Sequence, residues 1–201
     1  AQYEPARAAE RSEHSTYWFR FVNAVAKEVK KTHPDKFVST LAYGSHEGLP
    51  AGFKLESNVA VHFCISANRG GGRGRAALQG QMDRLQAWRD VEPDVPMYLW
   101  LYNTFPLENA NNGRYFCYPG FFAREIKRQF DEFRRLGVQG IFHCGFHDEV
   151  ENYVTYKLMD DPTLDIGKLL GDYFAPYGAA GKTMRAWYDL AESRFMDPSI
   201  Y

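Results

Sequence analysis

Apolar residues recur along this chain with two alternating spacings. From Tyr17 to Lys31, the residues Trp18, Phe21, Val22, Val25, Ala26 and Val29 return at intervals of 3, 4 and 7. That spacing puts them on one face of an amphipathic helix. His33-Pro34 ends it, because the residue before a proline is pushed out of helical backbone. Ser15 or Thr16 stands where a capping residue belongs. Residues 1–14 are polar, lack a period and read as an entry loop. Phe37–Tyr43 and Val59–Ile65 are short apolar runs that predict buried strands, joined by a Gly- and Pro-containing loop over 44–58. A helix over 76–88 has Leu78, Met82, Leu85 and Trp88 on one face. Pro93 and Pro96 bracket a turn before a third strand, Met97–Tyr102. A long loop over 103–120 leads to a helix over 121–136 striped by Phe122, Ile126, Phe130 and Phe133. Gly137 is its stop signal, and Val138–Cys144 is a fourth strand. Three helices follow, over 150–159, 164–174 and 179–195. Asp160, Asp161 and Asp165 are the capping candidates near Pro162 and Ile166.

Strands that alternate with long helices require crossover connections and a parallel sheet. Near-continuous apolar strands fit a sheet covered on both faces. The expectation is α/β: one unit over 1–201, with βα units over 15–149 and added helices over 150–201. Four strands suffice for a small doubly wound sheet but supply only half of a (β/α)8 barrel.

Composition narrows the function classes. The 201 residues carry 24 Lys+Arg against 25 Asp+Glu, a net charge of -1. Such a balance gives no general field to gather nucleic acid or an anionic membrane. No apolar run reaches the ~20 residues of a membrane-spanning helix. Cys64, Cys117 and Cys144 are odd in number and widely spaced, which argues against a disulfide framework or closed zinc site. Aromatic residues make up 16% of the chain, enough for a large aromatic core or a ring-binding cleft.

In parallel α/β proteins, ligands bind at the C-terminal ends of the strands. The polar residues there are Tyr43, Ser45, His46 and Glu47 after strand one, and Cys64, Ser66 and Asn68 after strand two. Trp100, Tyr102 and Asn103 close strand three. His143, Cys144, His147, Asp148 and Glu149 follow strand four. The set is rich in aromatic and hydrogen-bonding groups and poor in Lys and Arg, which suits a neutral, hydroxyl-rich ligand rather than a phosphate. The run Arg69–Arg75 holds four glycines but lacks the Lys-Ser/Thr of a P-loop and the third glycine of G-x-G-x-x-G. His143, His147 and Asp148 could instead hold a metal, though the pair straddles Gly145 rather than one helical turn. Glycoside hydrolysis needs two carboxyl groups roughly 5–10 Å apart. Of Glu47, Glu108, Asp148 and Glu149, Glu47 and Asp148 are the candidates; no cofactor is implied.

Several segments, in order, resemble one family. They are Tyr17-Trp18-Phe19-Arg20-Phe21-Val22-Asn23, then His33-Pro34-Asp35-Lys36, then Leu41-Ala42-Tyr43. The tail agrees through Tyr156-Lys157-Leu158-Met159-Asp160-Asp161-Pro162, Asp172-Tyr173-Phe174 and Tyr177-Gly178-Ala179-Ala180. The chain resembles the bacterial domain of unknown function 4838, related to alpha-glucuronidase-like and family 163 glycoside hydrolases, over about residues 15–190. The resemblance implies the C-terminal half, about strands five to eight, of a (β/α)8 barrel glycosidase-like domain, with the general acid upstream of this chain. It implies action on a glycan, at β-N-acetylglucosaminyl or uronosyl linkages, in a secreted, periplasmic or surface system. On that mapping Tyr43, Trp100, Tyr102 and Asn103 line a sugar subsite, with His46, His143 and His147 beside it. His143 stands where relatives carry an acidic residue. Four strands cut from a barrel expose two edges and an apolar face, so a missing half-barrel or a homodimer partner is expected. A non-catalytic carbohydrate-binding module and a small metal-dependent hydrolase are the alternatives.

Overall fold

The computed structural model describes residues 5–66, 75–103, 120–145 and 149–199, with side chains of 5–12, 66, 75 and 77 outside that description. The elements are α1 (Pro5–Thr32), β1 (Val38–Ala42), a 3-10 turn (Gly44–His46), β2 (Val59–Ser66), α2 (Arg75–Val91), β3 (Met97–Tyr102), α3 (Ala123–Arg135), β4 (Gly140–His143), α4 (Glu149–Asp160), α5 (Ile166–Phe174), a 3-10 segment (Ala175–Ala180) and α6 (Gly181–Phe195). Among the described residues no helix is long and apolar enough to cross a membrane.

The chain is α/β, with a four-stranded parallel sheet in the order β1-β2-β3-β4. Val38 pairs with Val59 and Ala42 with Phe63. Further bonds run from Val61 N to Pro96 O at 3.0 Å and from Gln139 N to Met97 O at 2.9 Å. Sequential order matters. With right-handed crossovers, strands added always in one direction put every crossover helix on one face. A doubly wound sheet instead reverses direction at a switch point. The order is therefore compatible with half of a (β/α) barrel.

One expectation is corrected at the N-terminus. Residues 5–14, read as an entry loop, are the first turns of α1. Their Ala, Arg and Glu residues are strong helix formers without an apolar period, so propensity carries the helix where pattern is silent. Pro5 opens it, where its missing N–H would have no helical partner. Ser15 and Thr16 consequently lie inside the helix rather than capping it. Thr16 Oγ1 accepts from Ala51 N at 2.9 Å. Of the capping candidates Asp160, Asp161 and Asp165, only Asp165 caps a helix, while Asp161 Oδ1 accepts from Thr163 N at 2.8 Å in the turn before it. Asp165 Oδ1 accepts from Lys168 N at 2.8 Å as the N-cap of α5. Gly137 follows α3 at φ 71°, backbone that favours glycine.

By its packing the chain divides into two compact units. The first holds α1 and the sheet. Along β3, Met97, Leu99 and Leu101 are buried while Tyr98, Trp100 and Tyr102 are half-buried. The buried side takes α1 and α2: Phe19 and Phe63 meet Trp88 at ring distances of 5.2 and 5.1 Å. Trp18 Nε1 donates to Thr40 Oγ1 at 2.9 Å. Asn23 clamps the loop before β2, donating to Lys54 O at 2.9 Å and accepting from Glu56 N at 3.0 Å. Arg89 ties the end of α2 to the turn before β3 and to Leu136, donating to Pro93 O at 2.6 Å, Val95 O at 3.2 Å and Leu136 O at 2.9 Å.

The second unit holds α3 to α6, packed in sequence along the chain. Its centre is polar. Glu151, 2% exposed, accepts from Phe122 N at 2.9 Å and from the Tyr188 hydroxyl. That hydroxyl in turn accepts from Ala123 N at 3.3 Å. Glu192 accepts from Arg124 N at 2.7 Å and pairs with the Arg124 guanidinium. Side chains from α4 and α6 thus satisfy consecutive donors at the start of α3, where the helix dipole favours negative charge. Burial, reinforced by the Glu151 charge, pushes the Tyr188 hydroxyl pKa far up and keeps it a donor.

Candidate functional site

In the first unit the candidate residues gather on two features. One is the turn after β1. Tyr43 is extended (φ -145°, ψ 139°) and 54% exposed. His46 lays its ring 5.0 Å from Trp18. Burial holds its pKa below the usual imidazole range, against the opposing pull of Glu47. Glu47 is engaged twice: Oε1 lies 2.9 Å from Arg84 Nη1, and its carbonyl accepts from Trp88 Nε1 at 3.2 Å. A carboxylate clamped by a guanidinium on a neighbouring helix is positioned as an anion. It fixes the turn to α2.

The other feature is the half-buried sheet face, opposite the one that takes α1 and α2. Strand alternation places Leu41 and His62 side by side there, by the register of β1 on β2. The His62 ring stacks on Tyr98 at 5.0 Å and 18°. Trp100 meets Phe142 at 4.2 Å and 41°, and Phe142 is 50% exposed. Tyr98 and Trp100, two residues apart on one strand, stand about 7 Å apart. Gly140 makes room for this arrangement, since a Cβ there would fall 3.1 Å from the Tyr98 ring. The Trp100 indole Nε1 is buried and has no hydrogen-bond partner among the described residues. Such a donor costs free energy until something accepts from it.

In the second unit, Tyr102 ends β3 on the Tyr98 and Trp100 side of the strand. Asn103 is 0% exposed, and both polar atoms of its amide lack a partner among the described residues. His143 sets its ring edge-on to Tyr156 at 5.2 Å and 90°. Burial lowers its pKa to about 4, so it is a neutral hydrogen-bonding group at neutral pH. His147 and Asp148 lie outside the described residues, as do Asn68, the glycine run 70–74, Glu108 and most of the loop 103–120. Among the described residues, no three His, Cys, Asp or Glu groups gather as a metal site.

The strand ends therefore place Trp100 and its ring neighbours together, and tie Glu47 to Arg84. Sequence reasoning missed His62, Tyr98 and Phe142 as parts of the ring face. Period-two alternation against the buried Leu99 and Leu101 was the available signal. It also missed Glu151, Glu192 and Tyr188, whose partners lie 29 to 68 residues away. No curated protein and no solved structure matches the chain. A family model does match, over residues 3–189. The chain belongs to the family described as "Domain of unknown function (DUF4838)".

Proposed function

We propose that this chain is the sugar-binding part of a glycoside-hydrolase-like domain, with a glycan received on the ring face of the sheet. One observation carries the reading. Trp100 stands on a half-buried aromatic face with an indole N–H that nothing described accepts. A pyranose offers both things this group lacks: an apolar C–H face for the ring and hydroxyl oxygens for the N–H. β-N-acetylglucosaminyl or uronosyl linkages are the substrates in view, with the general acid upstream of this chain. In this reading Glu47 is a positioning residue, because Arg84 occupies its carboxylate.

A non-catalytic binding module is the second reading. The engagement of the Glu47 carboxylate by Arg84 favours it. The test is calorimetric titration with N,N′-diacetylchitobiose, paired with a hydrolysis assay. Trp100→Ala should weaken binding at least about tenfold, or ~1.4 kcal/mol. Trp100→Phe should fall between, keeping a ring and losing the N–H. Unchanged affinity in Trp100→Ala would remove this reading. Turnover that survives Glu47→Gln while depending on an upstream carboxylate separates hydrolase from module.

A further inference from the structure

The second unit contains a cleft that, of the strand-end polar residues, only Glu149 lines among the described residues. Its volume is about 530 Å3, within the roughly 300–1,000 Å3 of small-molecule sites. α4, α5 and α6 line it, together with the residues just before α3. Its wall is a continuous series of rings. Trp187 meets Phe121 edge-on at 5.5 Å, and Phe121 meets Tyr188 at 5.8 Å. Tyr188 meets Phe174 at 5.9 Å, and Phe174 meets Tyr177 at 6.2 Å. Trp187 is 62% exposed and Tyr177 44% exposed, so both offer a ring to solvent at the rim. Rings exposed side by side around a concave wall, unlike single exposed apolar residues, suit a ligand's apolar face.

The polar groups around the rings are of one kind. Glu149 is exposed at the rim and accepts from the Tyr173 hydroxyl at 3.3 Å, a long bond that leaves acceptor capacity. Glu151 lies at the base, committed to Phe122 N and Tyr188. The described lining residues include no Lys or Arg. Two carboxylates and no cation repel an anionic ligand. Exposed indole and phenol faces accept the C–H face of a sugar, and Glu149 accepts from its hydroxyls.

We infer that this cleft is a second carbohydrate subsite, selective for a neutral pyranose and closed to uronic acids. The inference rests on the glycan-binding reading but concerns a different surface. It also decides between the two linkage classes in view at this subsite, in favour of the neutral sugar.

The test is a two-dimensional spectrum of the protein with 15N-labelled tryptophan. Trp18, Trp88, Trp100 and Trp187 each give one indole N–H peak, assigned from single Trp→Phe variants. Cellobiose and N,N′-diacetylchitobiose are the neutral probes, and digalacturonate is the acidic one. The neutral sugars should move the Trp187 peak with Kd on the order of 1 mM, and digalacturonate should leave it in place. Trp187→Ala, at an exposed site, should weaken the neutral sugars at this cleft at least about tenfold, read on labelled Tyr177. Glu149→Gln should admit digalacturonate about fivefold better, the effect of one exposed charge at about 4 Å. Movement of the Trp100 peak alone would overturn this inference and leave the sheet-face reading standing. Movement of Trp187 alone would support it and count against the sheet face. No movement of either peak would overturn both. A Trp187 peak that shifts with protein concentration, without sugar, would assign the cleft to a second copy of the chain and overturn it too.

Discussion

The Glu151 carboxylate is the group whose removal the fold should tolerate least. It is 2% exposed and serves two buried donors, Phe122 N and the Tyr188 hydroxyl. Glu151→Ala strands both. Each unsatisfied buried donor costs about 1–3 kcal/mol. The lost charge at the start of α3 adds about 0.3–1 kcal/mol. The hydroxyl of Tyr188 also loses its fixed direction, which weakens its acceptance from Ala123 N. The sum is about 2–7 kcal/mol, against roughly 5–15 kcal/mol for a whole domain. Glu151→Gln keeps an acceptor and loses the charge, so it should cost about 1–2 kcal/mol. Tyr188→Phe should cost about the same, by exposing Ala123 N to no acceptor. Because the three groups act together, Glu151→Ala and Tyr188→Phe should be coupled by about 1 kcal/mol or more in a double-mutant cycle. Urea denaturation followed by far-UV circular dichroism gives these values from midpoint shifts at constant slope. A Glu151→Ala cost under about 1 kcal/mol, or additive single variants, would refute the argument that side chains of α4 and α6 hold the start of α3.

Two further outcomes test other parts of the structure. Arg89→Ala should cost about 2–3 kcal/mol by orphaning the Pro93, Val95 and Leu136 carbonyls, and Arg89→Lys should restore less than half, because one ammonium has no fork; full rescue by lysine in the same denaturation assay would sink this account. His143 carries a pKa depressed by burial to about 4, so its contribution is fully present above the unfolded value near 6.5 and is lost as pH falls from there to about 4. After discounting for a half-buried ring, the loss is about 1–2 kcal/mol. His143→Asn should flatten that limb of the stability curve, and an identical acid limb in the variant would refute the assignment.

Much of this architecture was legible one segment at a time. The run Met97–Tyr102 is a strand with the bounds its apolar content predicts, and Gly137 and Asp165 mark a helix end and a helix start by local chemistry alone. The alternation of strands with periodic helices was enough to require a parallel sheet. The first turns of α1 escaped because their helix rests on Ala, Arg and Glu propensity, and a search for apolar period passes over it. Glu47 looked like a loop carboxylate, because nothing near it in sequence discloses Arg84, 37 positions on.

The sequence by itself determined which segments become strands and helices, because propensity, period and capping act within a few residues. It also limited the chemistry, through a near-zero net charge and strand ends poor in Lys and Arg. It did not choose a side. In Met-Tyr-Leu-Trp-Leu-Tyr every residue is apolar or aromatic, so either face of β3 could have gone inward. Packing of Trp88, Phe19 and Phe63 on one side made that choice and left Tyr98, Trp100 and Phe142 together on the other. The same holds for Glu151, which reads as a solvated helix residue until α3 begins beside it. Such roles are set by partners tens of residues away, and only the folded chain brings those partners within hydrogen-bonding distance.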